Sequence, residues 1–263
     1  MNSTKNAPHQ HRSPIFKTDT LQMGSTALDW LFPPTCVGCH KPGYELCSEC
    51  RETIKPVAGP LCPVCGVPHL THEKCRLCKE NPPAFDALRS WAVYEGVIKE
   101  MIHALKYKNR LSIALPLGQY LANFFETLKW EVDMVVPMAI SPKRQRRRGY
   151  NQAAAIARTF HRITEIPIRM NALGRIKHTQ SQVGLGIAER IVNVDAVFWA
   201  STQKNIGKRV LVIDDVCTSS ATMRSAAAAL KKAGALKVYG LTVARAGFYR
   251  ERQFTLVDDL PIA

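Results

Sequence analysis

The stretch that decides the fold is Arg-Val-Leu-Val-Ile-Asp-Asp-Val-Cys-Thr-Ser-Ser-Ala-Thr, residues 209–222. Its apolar run, residues 210–213, predicts a buried strand, and two adjacent carboxylates, Asp214 and Asp215, follow that strand. A hydroxyl-rich turn comes next, and an alanine-rich segment predicts a helix that begins there. The unpaired N–H groups and the positive dipole end of a helix N-terminus suit a phosphate group. Carboxylates beside such a turn suit sugar hydroxyls, or a Mg²⁺ ion held by the phosphate compound.

Segments that predict strands alternate with segments that predict helices over residues 84–248. The predicted strands are residues 87–94, 132–139, 168–173, 210–213 and 238–244, and the predicted helices are residues 97–105, 111–129, 152–163 and 219–233. This alternation indicates an α/β fold, a parallel sheet covered by helices on both faces. Ligands of such sheets bind beyond the carboxyl ends of the strands, where the two carboxylates are expected to lie.

Eight of the nine cysteines form four Cys-x-x-Cys pairs, namely Cys36/Cys39, Cys47/Cys50, Cys62/Cys65 and Cys75/Cys78. Without a secretion signal, such pairs bind metal more often than they form disulfides. Two pairs complete a tetrahedral site of four thiolates, which suits Zn²⁺, with an iron–sulfur cluster as the alternative. The longest gap falls between the second and third pairs and favours sequential pairing into two Cys₄ sites. A cross-braced arrangement and a single occupied site are the alternatives.

Composition points to an anionic partner and away from a membrane protein. The 263 residues carry a formal net charge of +15, which favours either nucleic acid or phosphorylated metabolites. No apolar run approaches the ~18 residues that span a bilayer, and residues 1–20 lack the apolar core of a signal peptide. We therefore expect a cytoplasmic protein that does not insert into membranes. We expect a disordered basic tail over residues 1–24, a zinc-binding module over 25–80, the α/β domain over 84–248, and a C-terminal tail over 249–263.

A dense basic run follows the predicted strand 132–139. It contains Lys143, Arg144, Arg146, Arg147 and Arg148, interrupted only by Gln145. The spacing does not match one helical face, so the run is predicted to be a loop. Because a guanidinium group forms two hydrogen bonds with one phosphate, this loop suits a pyrophosphate or a nucleic acid backbone. A solvated surface loop is the alternative. Stacking on bases would need aromatic rings, and the candidates, each of which could instead be a core residue, are Trp91, Tyr107 and Tyr150.

Several motifs together resemble those of a known family. Residues 209–222 resemble the phosphoribosyl pyrophosphate (PRPP) loop of type I phosphoribosyltransferases, Val-Ile-Asp-Asp-Val-x-Thr-Thr-Gly-x-Thr, with Ser220 in place of the usual Gly. The chain also has Pro-Lys-Arg-Gln-Arg-Arg-Arg-Gly-Tyr-Asn-Gln at 142–152 and Thr-x-Ser-Gln-Val-Gly-Leu at 179–185. With the four cysteine pairs, these motifs resemble the ComF family over roughly residues 28–246.

The resemblance implies a type I phosphoribosyltransferase-like sheet behind the Cys-rich module, and it implies roles for particular residues. Asp214 and Asp215 would be the catalytic pair that holds the ribose hydroxyls or Mg²⁺. The 5-phosphate would lie in a cradle formed by Thr218, Ser219, Ser220, Ala221 and Thr222. The pyrophosphate side would be lined by Arg147, Arg148 and Gly149, and residues 175–193 would close as a flexible hood.

The family also implies a role in natural competence, through DNA uptake and transformation, or in DNA utilisation. Single-stranded DNA would then contact Lys143, Arg144, Arg146 and Arg147, and a competence helicase is an implied partner. Two alternatives stay open: an active phosphoribosyltransferase of nucleotide salvage, and a regulator that senses PRPP without turning it over.

Overall fold

The computed structural model describes residues 33–175 and 197–247. Both predicted tails and residues 176–193 of the predicted hood lie outside the described residues. In chain order the helices are α1 Ser48–Glu52, α2 Arg76–Glu80, α3 Gly96–Tyr107, α4 Ala114–Leu128, α5 Pro142–Arg148, α6 Gln152–Thr164, α7 Thr202–Asn205 and α8 Ala221–Lys232. The strands are β1 Ala87–Val93, β2 Met134–Pro137, β3 Leu173–Arg175, β4 Phe198–Ala200, β5 Arg209–Cys217 and β6 Lys237–Arg245, and a 3₁₀ turn, Leu111–Ile113, precedes α4.

Four strands form a parallel sheet in the order β1-β6-β5-β2. Strand β5 is buried on both faces because its side chains alternate between two cores. Leu211 and Ile213 pack with α3, α4 and α6 on one face, whereas Val210 and Val212 pack with α8 on the other. This confirms the predicted α/β architecture, with helices on both faces of a parallel sheet.

Strand β5 is longer than the sequence predicts. Its pairing with β6 continues past Ile213 and matches Asp214 with Thr242 and Cys217 with Arg245. The two carboxylates therefore lie within the strand near its carboxyl end rather than in the loop after it. The hydrogen bonds between β5 and β6 hold the backbone of Asp214 and Asp215, and they therefore fix the direction of each of the two side chains.

Two other segments differ from prediction. The basic run is a helix, α5, rather than a loop, because Ser141 caps it by accepting a hydrogen bond from the N–H of Arg144 at 3.3 Å. Pro142 occupies its first turn, and Gly149, with φ of 78°, ends it. The predicted strand 168–173 is reduced to a single bridge, between Ile168 and Val135, and its last residue, Leu173, begins the short strand β3, which pairs antiparallel with β4.

The cysteine-rich segment covers the outer edge of the sheet. Between its two halves, the N–H of Val57 donates to the carbonyl of Trp91 on β1, and the N–H of Val93 donates to Lys55. Farther along β1, the N–H of Leu88 donates to the carbonyl of Val64 at 2.7 Å. These bonds occupy backbone groups that an edge strand would otherwise leave open.

Each half of this segment packs on a different face of the sheet. In the first half, Val37 joins the core that contains α3 and α4. In the second half, the cysteines and Val67 join the core that contains α8. Gly66 fits there because any Cβ would lie 2.3 Å from the carbonyl oxygen of Leu88. The segment therefore straddles strand β1.

Candidate functional site

The two carboxylates at the end of β5 differ in environment. Asp215 is 4% exposed, and one of its oxygens lies 2.7 Å from the ammonium nitrogen of Lys106. Its other oxygen, Oδ2, is buried without a hydrogen-bond partner among the described residues. Asp214 is half-buried and accepts a hydrogen bond from the N–H of Asp215 at 2.8 Å. Burial, and then the neighbouring charge of Asp215, raises the pKa of Asp214 to about 8.

Sequence reasoning missed the role of Lys106. It lies in the last turn of α3, and its ammonium group neutralises part of the negative charge at the end of β5. Only the packing of α3 against the sheet brings it to Asp215. In the sequence it is one of several lysines on the polar face of a helix.

The turn after β5 is open to solvent. Thr218, Ser219, Ala221 and Thr222 are exposed, whereas Ser220 is buried. Ser220 is the N-cap residue of α8 in the left-handed conformation, with φ of 63°, and no side chain of the described residues caps this helix. The first N–H groups of α8 therefore face the turn without a side-chain acceptor, an arrangement that suits an anion. Ser220 adopts the conformation that Gly would take most easily.

Helix α5 presents its positive charges to solvent. Lys143, Arg144, Arg146 and Arg147 are exposed, and none takes part in an ion pair among the residues that the structure describes. Arg148 is half-buried, and its guanidinium lies 5.2 Å from the ring centroid of Tyr107 on α3. Since Tyr107 follows Lys106, this contact connects the basic helix to the residue that holds Asp215.

The structure gives roles to Tyr150 and Asn151, which the motif alone did not explain. The hydroxyl of Tyr150 donates to the carbonyl of Leu105 on α3. The side-chain oxygen of Asn151 caps α6 by accepting from Ala153 and Ala154, while its amide donates to the carbonyl of Met138 after β2 at 2.9 Å. Both residues therefore fix the segment that joins α5 to the sheet.

The cysteines form two clusters, each of four sulfurs within 4.8 Å of one another. They are Cys36, Cys39, Cys47 and Cys50, and Cys62, Cys65, Cys75 and Cys78. The pairing is sequential, as predicted. Sulfur pairs at 3.5 Å (Cys39 and Cys47) and 3.7 Å (Cys65 and Cys75) match the edge of about 3.8 Å of a tetrahedron with Zn–S bonds of 2.3 Å. Both clusters fit Zn²⁺.

The clusters differ in their access to solvent. All four cysteines of the second are buried, whereas Cys39 of the first is exposed and Cys50 is half-buried. Buried Arg245 at the end of β6 donates to the carbonyl of Cys65. Arg89 on β1 donates to the carbonyl of Pro63 at 3.0 Å. The second cluster is therefore joined to the sheet by two guanidinium groups, which would balance the net negative charge of a zinc ion held by four thiolates.

Two remaining features of the sequence are also located. The ninth cysteine, Cys217, is buried at the end of β5, and burial raises the pKa of its thiol. His69 and His72, which lie between the third and fourth cysteine pairs in the chain, belong to neither cluster. Among the described residues, no helix combines the length and the apolarity that crossing a bilayer requires.

Comparison with known proteins agrees with this architecture. The family profile described as double zinc ribbon domain matches residues 27–80. The profile described as phosphoribosyl transferase domain matches residues 106–258, more than half of the chain.

Curated relatives match across both regions. Competence protein F of Haemophilus influenzae is 30% identical over 220 residues, which cover 78% of this chain and 95% of that protein. Competence protein ComFC of Bacillus subtilis is 28% identical, with coverage of 78% and 86%. DNA utilization protein YhgH of Escherichia coli is 28% identical, with coverage of 78% and 94%.

Solved structures include an allosteric regulatory enzyme of purine biosynthesis, at 25% identity and a TM-score of 0.37 over 49% of this chain. This chain spans 25% of the length of that enzyme. A purine phosphoribosyltransferase from Pyrococcus horikoshii has 16% identity and a TM-score of 0.33, over 56% of this chain and 90% of that one.

The match to the phosphoribosyltransferase profile and the near-complete overlap with Competence protein F lead to one assignment. The chain belongs to the ComF family, as a phosphoribosyltransferase-domain protein with an N-terminal double zinc ribbon.

Proposed function

We propose that this protein binds PRPP with Mg²⁺ at the carboxyl end of β5 and binds single-stranded DNA on its basic surface. We infer that it acts in the cytoplasm, in natural competence or DNA utilisation. The observation that carries the PRPP site is the buried Oδ2 of Asp215, which has no hydrogen-bond partner within residues 33–175 and 197–247, beside the open turn that begins α8. An unpartnered carboxylate oxygen is costly to bury, and a hydroxyl or a cation there would offset the cost.

Each group of PRPP has a matching set of residues. The 5-phosphate would bind the N–H groups and hydroxyls of the turn Thr218, Ser219, Ser220, Ala221 and Thr222. Asp214 and Asp215 would hold the ribose hydroxyls or Mg²⁺, whose preferred ligands are carboxylate oxygens. When bound, Mg²⁺ would neutralise charge on the leaving pyrophosphate. Arg147, Arg148 and Gly149 would line the pyrophosphate side. Of the two arginines, Arg147 is exposed, whereas Arg148 is half-buried with its guanidinium over the ring of Tyr107.

The DNA component is supported by charge and by the relatives. Lys143, Arg144, Arg146 and Arg147 present positive charge to solvent on one short helix, and phosphate contacts dominate binding to nucleic acid. The names of the relatives refer to competence and to DNA utilization.

Calorimetric titration of the zinc-loaded protein with PRPP and Mg²⁺ tests the first site. We expect saturable binding that weakens at least about tenfold in Asp214→Asn and in Asp215→Asn, because each loses one charge-assisted hydrogen bond or metal contact. The matched control is Asp86→Asn, since Asp86 precedes β1 at the opposite end of the sheet, where it pairs with Lys231. If the unmodified protein does not bind PRPP, or if Asp86→Asn weakens binding equally, the proposal is wrong.

Two further measurements separate the open alternatives. Release of pyrophosphate from PRPP, lost in Asp214→Asn, would identify an active transferase, and binding without release would identify a sensor. For DNA, joint replacement of Arg144, Arg146 and Arg147 by Gln is expected to weaken binding and to flatten its salt dependence, because fewer phosphates are neutralised. Unchanged affinity and slope would refute binding through α5.

A further inference from the structure

The three aromatic candidates for base stacking differ sharply in the folded protein. Trp91 is half-buried and stacks on Tyr120, with ring centroids 4.5 Å apart. Tyr150 packs against the core, and its hydroxyl donates to the carbonyl of Leu105. Tyr107 is 59% exposed. Of these three residues, Tyr107 is the exposed one, whereas Trp91 and Tyr150 are half-buried.

Tyr107 is held in a small stack of planar groups. The guanidinium carbon of Arg148 lies 5.2 Å from its ring centroid, and the ring of His103, one turn earlier on α3, lies 4.9 Å away at 47°. These contacts restrict the motion of an exposed side chain, so a ligand that stacks on the ring meets a partly ordered surface.

The surroundings of Tyr107 are basic. The exposed residues His103 on α3 and Lys108, which follows α3, lie on either side of it in the chain, and Arg148 joins it to the exposed cations of α5. No acidic residue occurs in α5 or after Glu100 in α3. Lys108 and the exposed cations of α5 form no ion pair among the described residues. A ring and unpaired cations on one surface match the chemistry of a nucleotide strand.

We propose that Tyr107 is a stacking platform for an unpaired base of single-stranded nucleic acid whose phosphates lie on α5. This inference rests on the proposed DNA function and assigns it a site. The strand must be single because a base in a duplex is covered by its neighbours, whereas an unpaired base can place its face on the ring. The guanidinium of Arg148 lies over the same ring and so holds α5, whose cations would bind the phosphates, close to Tyr107.

The test compares Tyr107→Ala with Tyr44→Ala by fluorescence anisotropy of a labelled oligothymidine at several salt concentrations. Tyr44 is a matched control because it is 58% exposed in the first ribbon and no guanidinium of the described residues lies over its ring. We expect Tyr107→Ala to weaken binding about tenfold, the loss typical of one stacked base. Tyr107→Phe should bind like the unmodified protein, and Tyr44→Ala should be unchanged.

The salt slope separates stacking from an indirect effect on Arg148. If Tyr107 only positions that cation, Tyr107→Ala will lower the slope by about one phosphate contact, which would overturn the proposal. Equal affinity of Tyr107→Ala and the unmodified protein, or an equal loss in Tyr44→Ala, would also overturn it. If the unmodified protein binds no DNA, the broader DNA function fails instead. An unchanged thermal midpoint of Tyr107→Ala establishes that the variant is folded.

Discussion

Ser220 takes a backbone conformation that few residues with a side chain adopt. Its φ of 63° lies in the left-handed region, where the Cβ approaches the backbone. The residue is buried beneath the open turn, so the chain has little freedom to relieve the contact. The turn therefore places a residue with a Cβ in a conformation that Gly takes most easily.

Ser220→Gly is expected to stabilise the protein. Removing the Cβ relieves a conformation that costs about 1 kcal/mol, although part of the gain is offset by the greater freedom of Gly in the unfolded chain. Urea denaturation of the zinc-loaded protein would measure the change. Ser219→Gly is the control, since Ser219 is exposed and is not among the residues with positive φ. A lower stability of Ser220→Gly than of the unmodified protein would contradict this account.

Asp214 makes the proposed PRPP site sensitive to pH. Because its pKa is raised to about 8, the carboxyl group is largely protonated at neutral pH, whereas hydroxyl donors and Mg²⁺ prefer the carboxylate. Affinity for PRPP is therefore expected to rise from pH 7 and to level off above the pKa, with a proton released on binding. Calorimetry in buffers of different ionisation enthalpy measures that proton. Asp214→Asn should show no such rise, and a similar rise in this variant would assign the effect to another group.

The two zinc ribbons are similar in ligand spacing but differ in their surroundings. The second is fully buried and bonded to Arg245 and Arg89, whereas the first exposes Cys39. Ligand exchange at zinc requires an incoming chelator to reach the metal or a departing thiolate. The second ribbon buries all four of its thiolates from such attack, whereas the first leaves Cys39 open to it.

Zinc release to excess chelator should therefore occur in two phases of one equivalent each, measured with a colorimetric indicator. The fast phase belongs to the first ribbon, and Cys39→Ser should remove it while the slow phase persists. Cys217→Ser is the matched control, because Cys217 is a buried cysteine outside both clusters, and it should keep both phases. A single phase of two equivalents would show that the sites exchange alike.

The architecture was largely predictable, whereas the contacts between distant segments were not. The apolar run 210–213 and the spacing of the cysteine pairs predicted the central strand and the sequential clusters, because both depend on local periodicity. Nothing local links Arg245 to Cys65, which lies 180 positions away in the chain, or Lys106 to Asp215. The helical form of α5 was missed because the irregular spacing of its charges outweighed the Ser-Pro start and the Gly end that determine it.

The ribbons that straddle β1 also determine how the chain can be divided. The N–H of Val57 donates to β1, and two N–H groups of β1 donate to the carbonyls of Lys55 and Val64. These hydrogen bonds occupy backbone groups on the outer edge of β1. A fragment that starts after the cysteines would leave those groups free to recruit a strand from a neighbouring copy. The amino-terminal ribbons thus form a border that covers this open edge of the sheet.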